Sequence, residues 1–227
     1  MNAPDERPTA SGEFGAEYWE GRYRIVGARI PHDPNPSLVA ETAALQAGRA
    51  LDVGCGPGAD ALWLASRGWH VTAVDVSSTA LRRARDRART SGHEVAARID
   101  WVHADLTGWD PGEARFDIVT SHYVQVPGPP QDLFRRLASW VAPGGTLLVV
   151  GHDSAHPEQD DGTRKHGDHP HPLGIRPEQV TTNLPHAEWE IVAAEARIHL
   201  AARPEPAGAV TLHDVLVRAR RTTTPVP

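Results

Sequence analysis

The run LDVGCGPGAD (51–60) limits the fold more than any other part of the chain. A short apolar stretch ends in Gly54, Gly56 and Gly58, and a helical pattern, GADALWLASRG (58–68), begins at once. An apolar run of this length bounded by glycine reads as a buried strand. Glycines at a strand-to-helix turn let the chain turn tightly and bring backbone amides close to a ligand. The helix that follows presents unpaired N–H groups to that ligand. Gly54-x-Gly56-x-x-Ala59 also satisfies the dinucleotide pattern, so the loop alone leaves the ligand open.

The pattern continues as alternating strands and helices. HVTAVDV (70–76), ARIDWVHAD (97–105), FDIVTSHYV (116–124) and TLLVVGH (146–152) read as strands. SSTALRRARDRARTSG (77–92) reads as a helix with a serine cap and a glycine stop, and PQDLFRRLASWV (130–141) as another, with PGG a sharp turn after it. Such alternation predicts a parallel sheet with helices on both faces. Upstream, Leu38 to Ala47 reads as an amphipathic helix with Ser37 as N-cap. Downstream, RPEQVTTNL (176–184) reads as a short helix, and EWEIVAAEARIHL (188–200) and AVTLHDVLVRARR (209–221) as an antiparallel hairpin. The predicted fold is α/β, a Rossmann-like, doubly wound, mostly parallel sheet closed by a C-terminal antiparallel hairpin. It occupies one domain, 31–221, between a flexible arm or lid at 1–30 and a tail at 222–227. Tyr18, Trp19 and Tyr23 would be the lid's aromatic face.

Composition excludes several classes of function. A net charge of −6 argues against a nucleic-acid partner, and the arginine run Arg82 to Arg89 reads as a solvated helix face. The N-terminus has no apolar core of a signal peptide, and no stretch approaches the roughly 18 apolar residues of a spanning helix, so no membrane association is expected. Cys55 is the single cysteine, which precludes an intrachain disulfide and fits a cytoplasmic location. His152, His156, His166, His169 and His171 lie in a polar stretch (152–172), but their spacing is irregular and no metal site is predicted.

Three carboxylates fall where strands end. Asp75 ends the second strand, 21 positions after Gly54, where a carboxylate can accept two ribose hydroxyls or, alternatively, cap the next helix. Asp105 ends the third strand. Asp52 lies two residues before the first glycine, where it would repel a pyrophosphate and attract a cationic ligand.

In this order and spacing the segments resemble class I S-adenosylmethionine (SAM) dependent methyltransferases. LDVGCGPG resembles their first motif, VDVS (74–77) their acidic second and HADL (103–106) their third. FDIVTSHYV is similar to the fourth strand, and WVAPGGTLLVVG (140–151) to the run through the fifth. YWEGRY and PNPSLV resemble small-molecule methyltransferases near the tellurite-resistance and thiopurine or thiol groups. The resemblance implies SAM as cofactor and a small-molecule methyl acceptor. It implies that Gly54 and Gly56, within the loop that includes Gly58, approach the methionine moiety, with Asp52 near its amino end. It implies that Asp75 holds ribose, that Val76 packs on adenine, and that Asp105, with Leu106 beside it, meets the adenine amino group. Ser121 and His122 would face the sulfonium. SHYVQV stands where nucleic-acid base and glutamine methyltransferases carry an Asn-Pro-Pro-Tyr-like motif, which argues against those acceptors. His122, Tyr123 and His152, at strand ends on the cofactor side, are the candidate catalytic groups for moving a proton. Two other readings stay open: a non-catalytic SAM or nucleotide binder, and an NAD(P)-linked oxidoreductase.

Overall fold

In the computed structural model residues 14–26, 33–155, 174–202 and 209–223 are described. Five parallel strands form the body of one sheet: β1 (Arg49–Val53), β2 (His70–Asp75), β3 (Ile99–His103), β4 (Phe116–His122) and β5 (Val141–His152). β6 (Trp189–Ala202) and β7 (Ala209–Arg221) add the expected antiparallel hairpin, in the order β3-β2-β1-β4-β5-β7-β6. The strand order reverses between β1 and β4, which opens a crevice outside the carboxyl ends of the strands.

Side-chain alternation divides the core into two layers. Leu51, Val53, Val119, Leu147, Val149 and Val217 face α6 (Pro130–Trp140), which packs down through Leu133, Phe134, Leu137 and Trp140. Ala50, Ile118, Leu148, Val150 and Leu216 face the opposite layer. That layer holds α2 (Pro36–Thr42), α3 (Ala59–Ser66) and α4 (Ser78–Thr90). The Ser77 hydroxyl accepts from the Ala80 amide at 3.1 Å and caps α4, an interaction worth about 1 kcal/mol.

Local chemistry moved several boundaries. α2 begins at Pro36, not Leu38, and its cap is Asn35, whose side chain accepts from the Ser37 amide at 2.8 Å. Proline suits the first helical position because its missing N–H would be unpaired there anyway. Past Gly92, at φ 106°, a short α5 (His93–Ala96) stands before β3. β5 starts at Val141, which pairs with Phe116 before the ladder breaks and resumes at Ile118–Thr146; the Pro-Gly-Gly segment is the irregularity between them. β3 ends at His103, two residues short of Asp105. The helix expected at 176–184 is α7 (Pro177–Thr181).

Candidate active site

The glycine loop is pinned to the sheet. The amides of Gly54 and Cys55 both donate to the Val74 carbonyl, at 2.8 and 3.0 Å. Gly54, Gly56 and Gly58 all have positive φ, at 67°, 51° and 80°. A Cβ on Gly56 would come within 2.7 Å of the Tyr23 hydroxyl. A Cβ on Gly58 would strike Trp101 at 2.6 Å and Ala84 at 3.0 Å, so this glycine lets the loop pack against β3 and α4. Asp75 is buried and clamps the loop: one carboxylate oxygen accepts from the Gly56 amide and the other from the Ser77 amide, each at 2.8 Å. Burial raises its pKa despite these two donors.

A second buried cluster lies where β1 meets β4. Asp52 is 2% exposed, and its Oδ1 accepts from the Thr120 hydroxyl at 3.2 Å. Its Oδ2 is buried without a hydrogen-bond partner. Burial first, then the Asp60 charge, pushes this carboxyl up to about 7. His122 Nδ1 lies 2.6 Å from Asp60 Oδ2, and Asp60 Oδ1 accepts from the Asn35 amide at 2.7 Å. Burial alone would lower the imidazole pKa, but the Asp60 charge and hydrogen bond outweigh it and hold it above its ordinary value. Asp60 moves the opposite way: burial works to raise its pKa, and His122 brings it below the usual carboxylate value. His122 and Asp60 therefore form an ion pair, and His122 Nε2 remains buried without a partner.

The third group sits at the ends of β4, β5 and β7. Tyr123 adopts φ 56°, a left-handed conformation that is costly for a residue with a Cβ, and its amide donates to the Val150 carbonyl at 2.8 Å. Its hydroxyl donates to Asp214 Oδ2 at 2.5 Å. His152 Nδ1 lies 3.3 Å from Asp214 Oδ1, at ion-pair distance but without hydrogen-bond alignment. Such contacts in ligand-free sites are often long and tighten when a ligand closes the site. The Tyr123 and His152 ring centroids are 4.7 Å apart. Burial, then the Asp214 charge, drives the Tyr123 pKa far up, so this phenol is a donor to Asp214 and not a base. These rings line a cleft with Ser121, Val124, Gln125 and Phe134.

At the β2–β3 end, Asp105 is exposed and its Oδ1 accepts from the Thr107 amide and hydroxyl, at 2.8 and 2.7 Å. Leu106 is buried in the α6-side core, and the Val76 carbonyl lies 2.9 Å from His103 Nε2. The crevice thus brings the glycine loop, Asp52, Asp75, Ser121 and His122 to its centre, and Tyr123 and His152 to its β5 side. His156, His166, His169 and His171 lie outside the described residues; among the described residues no group of three His, Cys, Asp or Glu could hold a metal.

Helix α1 (Ala16–Val26) covers this edge. Glu20 accepts from the Ser77 hydroxyl at 2.7 Å and from the Thr79 hydroxyl and amide at 2.6 and 3.1 Å. Those bonds, Ser77 first, hold its carboxyl down to about 2. Trp19 Nε1 donates to the Gln125 carbonyl at 3.2 Å, and Tyr18, Trp19 and Tyr23 form a row of ring contacts.

Sequence reasoning missed Asp60, Thr120 and Asp214. Asp214 had a signal, being a charge at an inward position of an otherwise apolar strand, directly across from His152 in the β5–β7 register. Asp60 and Thr120 carried none, because an acid in a first helical turn and a strand threonine are ordinary.

Residues 50–145 match the family described as a methyltransferase domain. An uncharacterized methyltransferase of Mycobacterium tuberculosis is 41% identical over 104 residues, covering 44% of this chain and 48% of that protein. The trans-aconitate 2-methyltransferase of Paracidovorax citrulli is 33% identical over 120 residues, covering 51% and 43%. The chain spans about half the length of the curated relatives it matches. A solved structure concerned with the conversion of a disulfide bond into a thioacetal group during echinomycin biosynthesis superposes with a TM-score of 0.67 at 26% identity, covering 92% of each chain.

Proposed function

We infer methyl transfer from SAM to a small-molecule acceptor, on the premise that the chain belongs to the class I family of SAM-dependent methyltransferases. The observation that carries this reading is Asp52, a fully buried carboxylate beside the glycine loop with one oxygen unpaired. A phosphate-bearing dinucleotide would be repelled there, whereas a ligand with an ammonium and a sulfonium would restore the missing partner. Asp75 would hold the ribose, with its remaining acceptor capacity beyond the Gly56 and Ser77 amides. Gly54, Gly56 and Gly58 would shape the loop around the methionine moiety, Val76, Asp105 and Leu106 would border the adenine, and Ser121 would sit under the transferring group. Bound SAM supplies the activated methyl group, so the chain's own task is alignment, exclusion of water and control of the acceptor's proton.

His152 is the residue best placed to take that proton, with Asp214 as its positioning residue and Tyr123 fixing Asp214 from the other side. α1 acts as the lid. The net charge of −6 and the SHYVQV segment support an acceptor other than nucleic acid. No helix among the described residues is long and apolar enough to cross a membrane. The single cysteine fits a cytoplasmic setting.

Labelled methyl from SAM should transfer to one class within a panel of thiols, phenols, amines and metalloid oxyanions. Tight SAM binding with no transfer to any of them would favour a non-catalytic binder. With the acceptor in hand, His152→Ala should lower turnover roughly 100- to 10,000-fold if the imidazole is a general base, with SAM affinity little changed. Near wild-type turnover would leave alignment alone as the account. Hydrogen exchange tests the lid: amides of α1 should exchange fast without ligand and slow when S-adenosylhomocysteine is added. Equal protection in both states would make α1 a fixed part of the body.

A further inference from the structure

Two buried atoms at the β1–β4 junction lack partners, and their needs are opposite. Asp52 Oδ2 is an acceptor, and His122 Nε2 is a donor once the imidazole paired with Asp60 is protonated, the state that the Asp60 carboxylate favours. The His122 side chain is 5% exposed, so bulk water does not serve it. The two orphan atoms are not bonded to each other; one calls for a cation and the other for an anion. An α-amino acid head group carries both on one carbon.

We propose that His122, held by Asp60, binds the carboxylate of the methionine end of SAM and so makes the site select SAM over its decarboxylated form. This rests on the SAM reading above and gives His122 a different role from the proton transfer expected from its place on the chain. His122 is then a cofactor-specificity residue. Decarboxylated SAM keeps the sulfonium and the ammonium but offers Nε2–H no acceptor, so it lacks the charge-assisted hydrogen bond that SAM gains.

Calorimetry with SAM and with decarboxylated SAM on the full chain provides the test and needs no methyl acceptor. The wild-type chain should prefer SAM by roughly 10- to 100-fold, the value of one charge-assisted hydrogen bond. In His122→Ala that preference should fall to near unity, through loss of SAM affinity with that for decarboxylated SAM nearly unchanged. Asp60→Asn, which removes the charge that keeps the imidazole protonated, should also reduce the preference, and it keeps the test open if His122→Ala does not fold. An unchanged preference in the folded variants, even with both affinities lowered, would mean that Nε2 is served by a buried water only and would overturn the proposal. A wild-type chain that binds neither compound would overturn the SAM reading and this proposal together. One that binds SAM but does not discriminate would overturn this proposal alone.

Discussion

Asp75→Ala should bind SAM at least roughly 100-fold more weakly than the wild-type chain. Two charge-assisted hydrogen bonds to a ribose are each worth about 1.5–3 kcal/mol, and both vanish with the carboxylate. The tertiary contacts add a second loss. Asp75 accepts from the Gly56 and Ser77 amides, so its removal frees the glycine loop from the start of α4 as well. The loop then has to be ordered at ligand binding instead of beforehand, which weakens affinity further. Calorimetry with S-adenosylhomocysteine, alongside circular dichroism for the fold, measures the effect. Asp75→Asn, which keeps the shape and one acceptor, should fall between the two. A folded Asp75→Ala chain with wild-type affinity would remove Asp75 from the ribose site.

Asp52→Asn should make the ligand-free chain more stable and its cofactor binding worse. Burial, with the Asp60 charge, takes the Asp52 carboxyl from 3.8 up to about 7. The folded state therefore keeps a proton that the unfolded chain has already released between about pH 4 and pH 7. Stability falls as pH rises through that window, and the full penalty is in place above it. A shift of about three units corresponds to roughly 4 kcal/mol. The new Asn amide, unpaired where Oδ2 stood, gives back about 1–3 kcal/mol. The net gain above pH 7 is about 2 kcal/mol, or roughly 4–8 °C in Tm for a domain of this size. At pH 4 the gain should disappear. Thermal melts of both chains at pH 4 and pH 8 check this, and a variant less stable at pH 8 than wild type would refute it. SAM affinity should drop in the same variant, because the buried negative charge that the ligand's cationic groups would compensate is gone. A folded variant that binds SAM as tightly as wild type would remove Asp52 from the cofactor site.

Both results would express one property of the site. The ligand-free chain holds an uncompensated carboxylate, a histidine nitrogen without a partner and a tyrosine in the left-handed region. Each costs stability, and each lies within the crevice at the strand-order reversal. Local strain and unpaired polar atoms collected in one place are characteristic of a site organised for a ligand.

The strand–helix alternation, the crevice edge and the glycine loop were legible in the amino-acid order because each rests on short-range chemistry. Apolar runs five to seven residues long, a serine cap at Ser77, and glycines that alone tolerate the turn at 54–58 act within a few residues of themselves. The Asp75 clamp on the loop follows from the β1–β2 pairing that the same alternation predicts. The proton-handling and charge-pairing partners were not legible. Asp60 meets His122 across 62 positions, and Asp214 meets Tyr123 across 91. Those pairs depend on register, with β7 inserted antiparallel beside β5 so that Asp214 falls opposite His152. They depend equally on which face each strand end turns inward, since a shift of one residue would place the same side chain in the other layer. His122 is the plainest case. As a histidine at a strand end it reads as a proton carrier, and only the buried Asp60 beside it in three dimensions raises its hold on a proton. The local sequence therefore determined where a cofactor could lie, and the long-range packing decided which of the nearby groups carry charge when it binds.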